Sequence, residues 1–166
     1  MRIALVWSCL VLLFVGCGEQ EAEGDLCDRY FEPYPDMITG RDAPKDHRIY
    51  VRAMELYQQG DHAQAADSLS QYIRQRGFER SAHLYLAMCH LAMDKPYEAE
   101  LQLDHLENSS VSGFRDQTEW YTVLCWVCSG QLERALPEAR RIAGSTHTYK
   151  EQAARLADEL ATMVEA

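Results

Sequence analysis

One pair of cysteines in this sequence has a spacing that could support chemistry. Cys125-Trp126-Val127-Cys128 has the spacing of a redox dithiol. Such dithiols normally open a helix that follows a strand, where the helix amino end lowers a thiol pKa, whereas this pair falls late in a predicted helix. A zinc site would need a second pair of this kind, and haem attachment would need histidine at position 129, where serine stands. A thiol-active (redox) function that uses Cys125 and Cys128 is therefore an alternative hypothesis for this protein, beside a binding function without chemistry.

Two histidines could also ligate a metal ion. His83 and His90 lie two turns apart on one face of a predicted helix. The same face carries Leu86 and Ala87, which favours a packing role. Local spacing offers no combination of nucleophile, base and orienting acid, no glycine-rich phosphate loop and no metalloprotease helix. We therefore expect no enzymatic activity, no metal, no cofactor and no small-molecule substrate.

The charge of the chain excludes one class of partner. The 166 residues hold 26 acidic and 16 basic side chains, a formal net charge of −10. A sequence-independent nucleic-acid binder needs a basic surface that displaces counterions from phosphate. The sequence therefore predicts no nucleic-acid partner.

The amino terminus has the pattern of a targeting segment. Arg2 precedes the apolar run of residues 3–15, which as a helix would span about 20 Å, against about 30 Å of bilayer hydrocarbon. The run is too short for a transmembrane helix and has the size of a signal-peptide core. It ends in Phe14-Val15-Gly16-Cys17, which resembles a bacterial lipoprotein signal, with Phe14 in place of the usual leucine.

That resemblance implies cleavage after a signal peptide of residues 1–16 and lipidation of Cys17, with anchoring of the chain to a membrane through acyl chains. An ordinary secretory signal with a chance cysteine is the other interpretation. Gly18 follows the cysteine, and familiar sorting systems send such lipoproteins to the outer membrane. The predicted location is therefore the bacterial cell envelope, with the periplasmic or the surface face left open.

Residues 17–45 are predicted to be a tether. The first half is acidic, which is typical of a solvated spacer. The second half contains the aromatic strip, residues 30–35, with the sequence Tyr-Phe-Glu-Pro-Tyr-Pro. Prolines bias the preceding residues toward extended geometry, and three aromatic side chains should not remain in water. We expect Tyr30, Phe31 and Tyr34 to dock, either on a partner or on the chain's own domain, where the strip would fill a groove permanently or as a displaceable plug.

The remainder of the chain contains an internal repeat. Gly60-Asp61, Asp94-Lys95 and Gly130-Gln131 are separated by 34 and 36 residues, and an alanine follows each pair at a fixed distance. Each turn separates two amphipathic stretches. Asp61 with Gln64, Asp116 with Glu119, and Thr148 with Glu151 are predicted helix caps.

This pattern resembles the tetratricopeptide (TPR) repeat. The resemblance implies an all-α fold, a right-handed α-solenoid of three helix hairpins over residues 46–146 with a capping helix over residues 147–166, seven helices in all. Cys89 and Cys125 occupy equivalent repeat positions, where the family places a small residue between helices, so we expect both to be buried. With Cys9 removed and Cys17 lipidated, four thiols remain, and we expect them to be unreactive; a disulfide is left open, with three complete pairings.

In the TPR family the first helix of each hairpin lines a concave groove. The predicted lining is aromatic, aliphatic and methionine-rich, which suits an apolar or aromatic peptide, although core packing could account for part of it. The lining candidates are Tyr50, Met54, Tyr57, Leu84, Met88, Leu91, Trp120, Leu124 and Val127. The lysine and asparagine residues of a carboxylate clamp are missing from these positions. The resemblance therefore implies a non-enzymatic, lipid-anchored scaffold that binds an envelope protein or peptide, as in the assembly of an outer-membrane or secretion complex.

Overall fold

A computed structural model describes residues 25–39, 48–109 and 113–165, and in these ranges the regular structure is entirely helical. The all-α class is thus confirmed. The seven predicted helices are present, and a short helix that the sequence did not predict precedes them. The helices are α1 (Leu26–Tyr30), α2 (Arg48–Gln58), α3 (His62–Arg76), α4 (Arg80–Ala92), α5 (Pro96–Glu107), α6 (Arg115–Cys128), α7 (Leu132–Ala143) and α8 (Lys150–Val164). The predicted signal peptide and Cys17 lie outside the described residues.

The helices pack in the order in which they follow one another along the chain. From α2 to α8, each helix contacts the next, and α1 lies against α6. Helices α4 and α6 also touch. No helix among the described residues is both long enough and apolar enough to cross a bilayer.

The same turn joins α2 to α3, α4 to α5 and α6 to α7. Its central residue has a positive φ, which is 77° at Gly60, 56° at Asp94 and 74° at Gly130. The amide of the following residue donates to a carbonyl five residues earlier in each turn, in the bonds Asp61 to Leu56 (3.0 Å), Lys95 to His90 (2.9 Å) and Gln131 to Trp126 (2.8 Å). These bonds satisfy carbonyls that the end of a helix leaves without partners. The turns stand where the repeat spacing predicts them.

Asp94 holds the left-handed conformation with a side chain, which glycine adopts at lower cost. We expect Asp94→Gly to raise the free energy of unfolding by about 0.5–1 kcal/mol, because the relief of backbone strain exceeds the added entropy of the unfolded chain. Urea unfolding monitored by circular dichroism measures the change. As a matched control, Gly130→Ala should lower stability by about 1 kcal/mol, since a Cβ there meets no atom within 4 Å and the cost is conformational. A loss of stability in Asp94→Gly would contradict the expectation.

One predicted helix cap is present and two are wrong. The Asp61 carboxylate accepts from the Gln64 amide at 3.2 Å, as predicted. Asp116 instead lies inside α6, and its carboxylate accepts from the Thr148 amide (2.7 Å) and hydroxyl (2.6 Å). Thr148 in turn precedes Tyr149, the N-cap residue of α8, and does not cap that helix. Asp116 and Thr148, which local spacing predicted to be helix caps, therefore form a tertiary contact between α6 and the turn before α8.

Candidate functional site

The nine predicted groove residues are buried. Their exposed fractions lie between 0 and 6%. Tyr50 donates a hydrogen bond to the Ser81 hydroxyl (2.9 Å), and the Trp120 ring stacks on that of Tyr149 at 5.5 Å. The burial favours core packing, which was left open as one of two roles for these side chains. The residues that belong to the hydrophobic core are Tyr50, Met54, Tyr57, Leu84, Met88, Leu91, Trp120, Leu124 and Val127.

The aromatic strip lies across the first helices of the three hairpins. Three buried tyrosines, which we call the tyrosine ladder, donate hydrogen bonds from their hydroxyls to carbonyls of the strip. The bonds are Tyr57 to Tyr34 O (2.7 Å), Tyr85 to Pro35 O (3.1 Å) and Tyr121 to Glu32 O (2.8 Å). Helices α2, α4 and α6 contribute one tyrosine each. The ladder therefore binds the backbone of an extended segment. These hydrogen bonds do not select particular side chains, which are recognised by other contacts.

Ring contacts hold the side chains of the strip. Phe31 meets Tyr121 edge to face at 6.3 Å between centroids, and Tyr34 lies between Tyr85 at 6.2 Å and Phe114 at 6.4 Å. The Gln117 amide lies 3.4 Å from the Tyr34 hydroxyl. Phe31 and Tyr34 remain half-buried. Aromatic pairs of this geometry contribute about 0.5–1.5 kcal/mol beyond the area that they bury.

The ladder hydroxyls remain protonated at physiological pH. Burial raises the pKa of Tyr57, Tyr85 and Tyr121 above the ordinary tyrosine value, because the phenolate would be removed from water. Each hydroxyl is therefore a permanent donor toward a carbonyl. A proline-containing strip suits such a surface, since proline has a carbonyl but no amide proton to satisfy.

Contacts at both ends hold the chain around the strip. Before it, Cys27 of α1 is bonded to Cys128 at the end of α6, with 4.8 Å between their Cα atoms. Arg29 forms an ion pair with Glu159 of α8 at 2.6 Å, and the Tyr30 hydroxyl donates to the same carboxylate at 2.6 Å. After it, the Met37 amide donates to the Tyr85 hydroxyl at 3.0 Å. Residues 25–29 are thus packed on the helices, which corrects the prediction of a solvated spacer for this part of the tether. The aromatic strip docks on the chain's own domain, which is one of the two predicted alternatives.

The disulfide overturns the interpretation of the Cys125–Cys128 pair. Cys128 pairs with Cys27, so that it is neither a free thiol nor the partner of Cys125. Cys89 and Cys125 are free and buried, as the repeat positions predicted. Burial raises the pKa of the Cys89 thiol to about 12 and that of Cys125 further, so neither forms the reactive thiolate. Nothing in this arrangement favours the thiol-active alternative.

Tyr85 and Tyr121 are the site residues that the sequence prediction missed. They stand 36 residues apart, at equivalent positions in the repeat, and the same equivalence identified Cys89 and Cys125. The prediction instead placed Leu84 and Trp120, one residue earlier, on the groove. Of the nine predicted lining residues, Tyr57 donates a hydrogen bond to the strip. The three residues that were predicted to dock, Tyr30, Phe31 and Tyr34, all contact the helices.

A pocket to which no residue of the aromatic strip contributes is a second candidate site. This pocket of about 480 Å³ lies between α5, α6 and α7 and includes Glu100, whose carboxylate accepts from Trp126 Nε1 and pairs with Arg134. The Arg134 guanidinium lies 4.1 Å from the centroid of the Trp126 ring. Arg134 therefore occupies the position that a cationic ligand would take beside Glu100 and Trp126. Within the described ranges, no group of three or more His, Cys, Asp or Glu residues is arranged to hold a metal ion.

His83 has a packing role. Its Nδ1 lies 2.9 Å from Gln102 Oε1, and its ring stacks on that of Phe78 at 5.1 Å. Burial lowers the pKa of His83 and also that of His62 and His90. The protein therefore favours the neutral form of all three histidines.

The lowered pKa values of these three histidines predict that the protein loses stability in acid. Below an ordinary pKa of about 6.5, the unfolded chain binds protons that the folded chain does not yet bind. The free energy of unfolding should therefore fall as the pH drops below about 6.5, until the folded histidines also titrate. Urea unfolding between pH 5 and pH 8 measures the slope, and His90→Gln should make it shallower. An unchanged slope in that variant would show that His90 does not contribute.

Comparison of the chain with protein-family models, with curated proteins and with solved structures gives no match.

The Tyr85 hydroxyl makes two bonds to the chain around the strip. It donates to Pro35 O and accepts from the Met37 amide. Tyr85→Phe removes both bonds and leaves two backbone groups without these partners, so we expect a loss of about 1–2 kcal/mol in the free energy of unfolding. Faster hydrogen exchange at the Met37 amide should accompany the loss. Tyr97→Phe, on a side chain that is 62% exposed, is the matched control and should be neutral. Unchanged exchange at Met37 would contradict the role given to Tyr85.

Proposed function

We propose that this chain is a non-enzymatic, lipid-anchored scaffold that binds an envelope protein through an extended peptide of that protein. Three hairpins, α2–α3, α4–α5 and α6–α7, form a right-handed TPR solenoid in this proposal, and α8 caps it. The repeated turn at intervals of 34 and 36 residues and the packing of each helix on the next support this architecture. Acyl chains on Cys17 anchor the scaffold to the envelope membrane, where the outer membrane is the expected location.

One observation carries the proposed binding mode. An extended segment, the aromatic strip, lies across helices α2, α4 and α6 and is bound through its carbonyls by the tyrosine ladder. Tyrosine hydroxyls and rings supply both hydrogen bonds and apolar area, which is typical of surfaces that recognise proline-containing peptides. The face is therefore suited to an extended peptide, and the partner would be held without a chemical step.

Site-specific photo-crosslinking in the native envelope tests this function. A benzoylphenylalanine at Gln117, which contacts Tyr34 at the edge of the ladder, should crosslink to a defined envelope protein. The same probe at Tyr97, an exposed position on α5, is the matched control and should not give that adduct. Identical adducts from both positions, or none from Gln117, would count against partner binding on this face.

The anchor has a separate test. Metabolic labelling with an alkyne-bearing fatty acid should label the native chain, and Cys17→Ser should abolish the label and release the protein from the membrane fraction. A labelled Cys17→Ser protein would contradict lipidation at this cysteine.

A further inference from the structure

The aromatic strip packs against the outer side of the hydrophobic core, as a bound peptide would. Among residues 25–39, Leu26 is buried, whereas Phe31 and Tyr34 are half-buried, and Glu32 and Pro35 are exposed. The residues that hold the helices together are independent of the strip, since Leu69, Leu103, Ile142 and Leu156 are fully buried on other helices. Departure of the strip would therefore expose the ladder and leave the helix packing in place.

Apart from the disulfide, the strip is held by hydrogen bonds and ring contacts. Its carbonyls accept hydrogen bonds from three tyrosine hydroxyls, its rings contact rings of the helices, and the Tyr30 hydroxyl donates to Glu159. The neighbouring Arg29–Glu159 ion pair is about one third exposed and so contributes little. Ordering an extended segment costs conformational entropy at every residue, which offsets much of the gain from such contacts. The Cys27–Cys128 bond offsets part of that cost, because it fixes the amino-terminal end of the strip beside α6 and so raises the effective concentration of the strip at the ladder.

The disulfide lies where a reductant can reach it. Cys27 and Cys128 are both half-buried, in contrast to the fully buried Cys89 and Cys125. The bond joins the segment that precedes the strip directly to α6, the helix that carries Tyr121 and Gln117. Its cleavage would therefore remove the covalent link at the amino-terminal end of the strip, which leaves Leu26, Arg29 and Tyr30 as the non-covalent contacts there. No contact between the long helices would be broken.

We propose that the tyrosine ladder is a redox-gated site for extended peptides rich in proline and aromatic residues, and that the Cys27–Cys128 disulfide keeps it closed by holding the aromatic strip in place. The strip itself defines the chemistry of the partner: carbonyls free to accept from tyrosine hydroxyls, and aromatic side chains that fit beside Phe114, Tyr85 and Tyr121. This inference rests on the proposed peptide-binding function and adds its partner class and its control.

The opening step is a thiol–disulfide exchange with an external dithiol. One thiolate of the dithiol attacks a sulfur of the Cys27–Cys128 bond, forms a mixed disulfide and releases the other cysteine as a thiolate, which takes a proton from water. The second thiol of the reagent, as its thiolate, then closes the reagent's own disulfide and releases the second cysteine. The dithiol loses two electrons and the protein disulfide gains them. The free thiols Cys89 and Cys125 take no part, because burial keeps them protonated.

Hydrogen exchange of the full chain in detergent, oxidised and after treatment with dithiothreitol, is the first test. Reduction should abolish the protection of the Met37 amide, which bonds to Tyr85, while the amides of α5 and α7 stay protected. If α5 and α7 lose protection together with Met37, the strip is an integral part of the fold and the proposal is overturned. Retained protection at Met37 would overturn it equally.

Peptide binding is the second test. The probe is a fluorescent peptide with the sequence of residues 29–38, and the receptor is the full chain carrying Phe31→Ala and Tyr34→Ala, which weaken the internal competitor. Fluorescence anisotropy should give a dissociation constant at least tenfold lower for the reduced receptor than for the oxidised one, and Tyr121→Phe should raise it several-fold. A peptide with its three aromatic residues replaced by alanine is the control.

The outcomes separate this inference from the proposed function. Equal affinity in the two redox states would overturn the gate, and absence of binding in both would overturn the peptide class. If the peptide binds only the reduced receptor but crosslinking at Gln117 captures no envelope protein even after reduction with dithiothreitol, the gated site stands and the scaffold function fails.

Discussion

Cys27→Ser is expected to lower the free energy of unfolding by about 4 kcal/mol, the largest effect of a single substitution that the structure predicts. The Cys27–Cys128 bond joins residues 101 positions apart, so it closes most of the helical chain into one loop. On the chain-entropy account, such a crosslink stabilises the protein by restricting the unfolded state, and the effect grows with loop length. Urea unfolding of the oxidised protein and of the variant measures the difference.

A cycle of variants separates the bond from the side chains that form it. Cys128→Ser and the double variant should each lose about as much stability as Cys27→Ser, because each removes the same bond. Reduction of the unmodified chain should give a similar value. Additive losses in the double variant would show that the two side chains contribute by packing rather than through the disulfide.

Leu103→Ala is expected to lower the free energy of unfolding by about 3 kcal/mol, because the truncated side chain leaves a cavity among well-packed neighbours. Leu103 is fully buried on α5. Two residues earlier on the same helix, Leu101 is 56% exposed and offers a matched control with the same chemical change. Leu101→Ala should change stability by less than about 0.5 kcal/mol.

The two α5 variants should be compared by urea unfolding at equal protein concentration. Similar losses in both would mean that helix propensity or residual structure in the unfolded chain, and not the cavity, determines the effect. A large loss of stability in Leu101→Ala alone would show that the Leu101 side chain makes a stabilising contact that is not present among the described residues. The expected order is a large loss at Leu103 and almost none at Leu101.

The positions of the turns between helices could be predicted from sequence because they depend on residues close together in the chain. A glycine or aspartate that accepts a left-handed conformation, followed by a polar residue, stops one helix and begins the next. This pattern occurs at Gly60, Asp94 and Gly130, and the structure places a turn with the same hydrogen bonds at each. The burial of Cys89 and Cys125 followed from their equivalent places relative to these turns.

The candidate site was predicted less completely. Consecutive residues of a helix point about 100° apart, so an error of one position moves the proposed surface to another face. Periodicity marked Leu84 and Trp120, whereas their neighbours Tyr85 and Tyr121 contact the aromatic strip. Both members of each pair are apolar or aromatic and both are buried, so composition could not separate the side chain that faces another helix from the one beneath the strip.

The sequence by itself determined the all-α class, the seven longer helices and the repeated turn, since local hydrogen bonds and apolar periodicity produce them. It also singled out Tyr30, Phe31 and Tyr34 as side chains that need a surface. Only the tertiary structure decided that this surface is the tyrosine ladder and that Cys128 pairs with Cys27 rather than acting with Cys125. Partners 89 and 101 residues apart meet through the path of the whole chain, and no local spacing encodes that path.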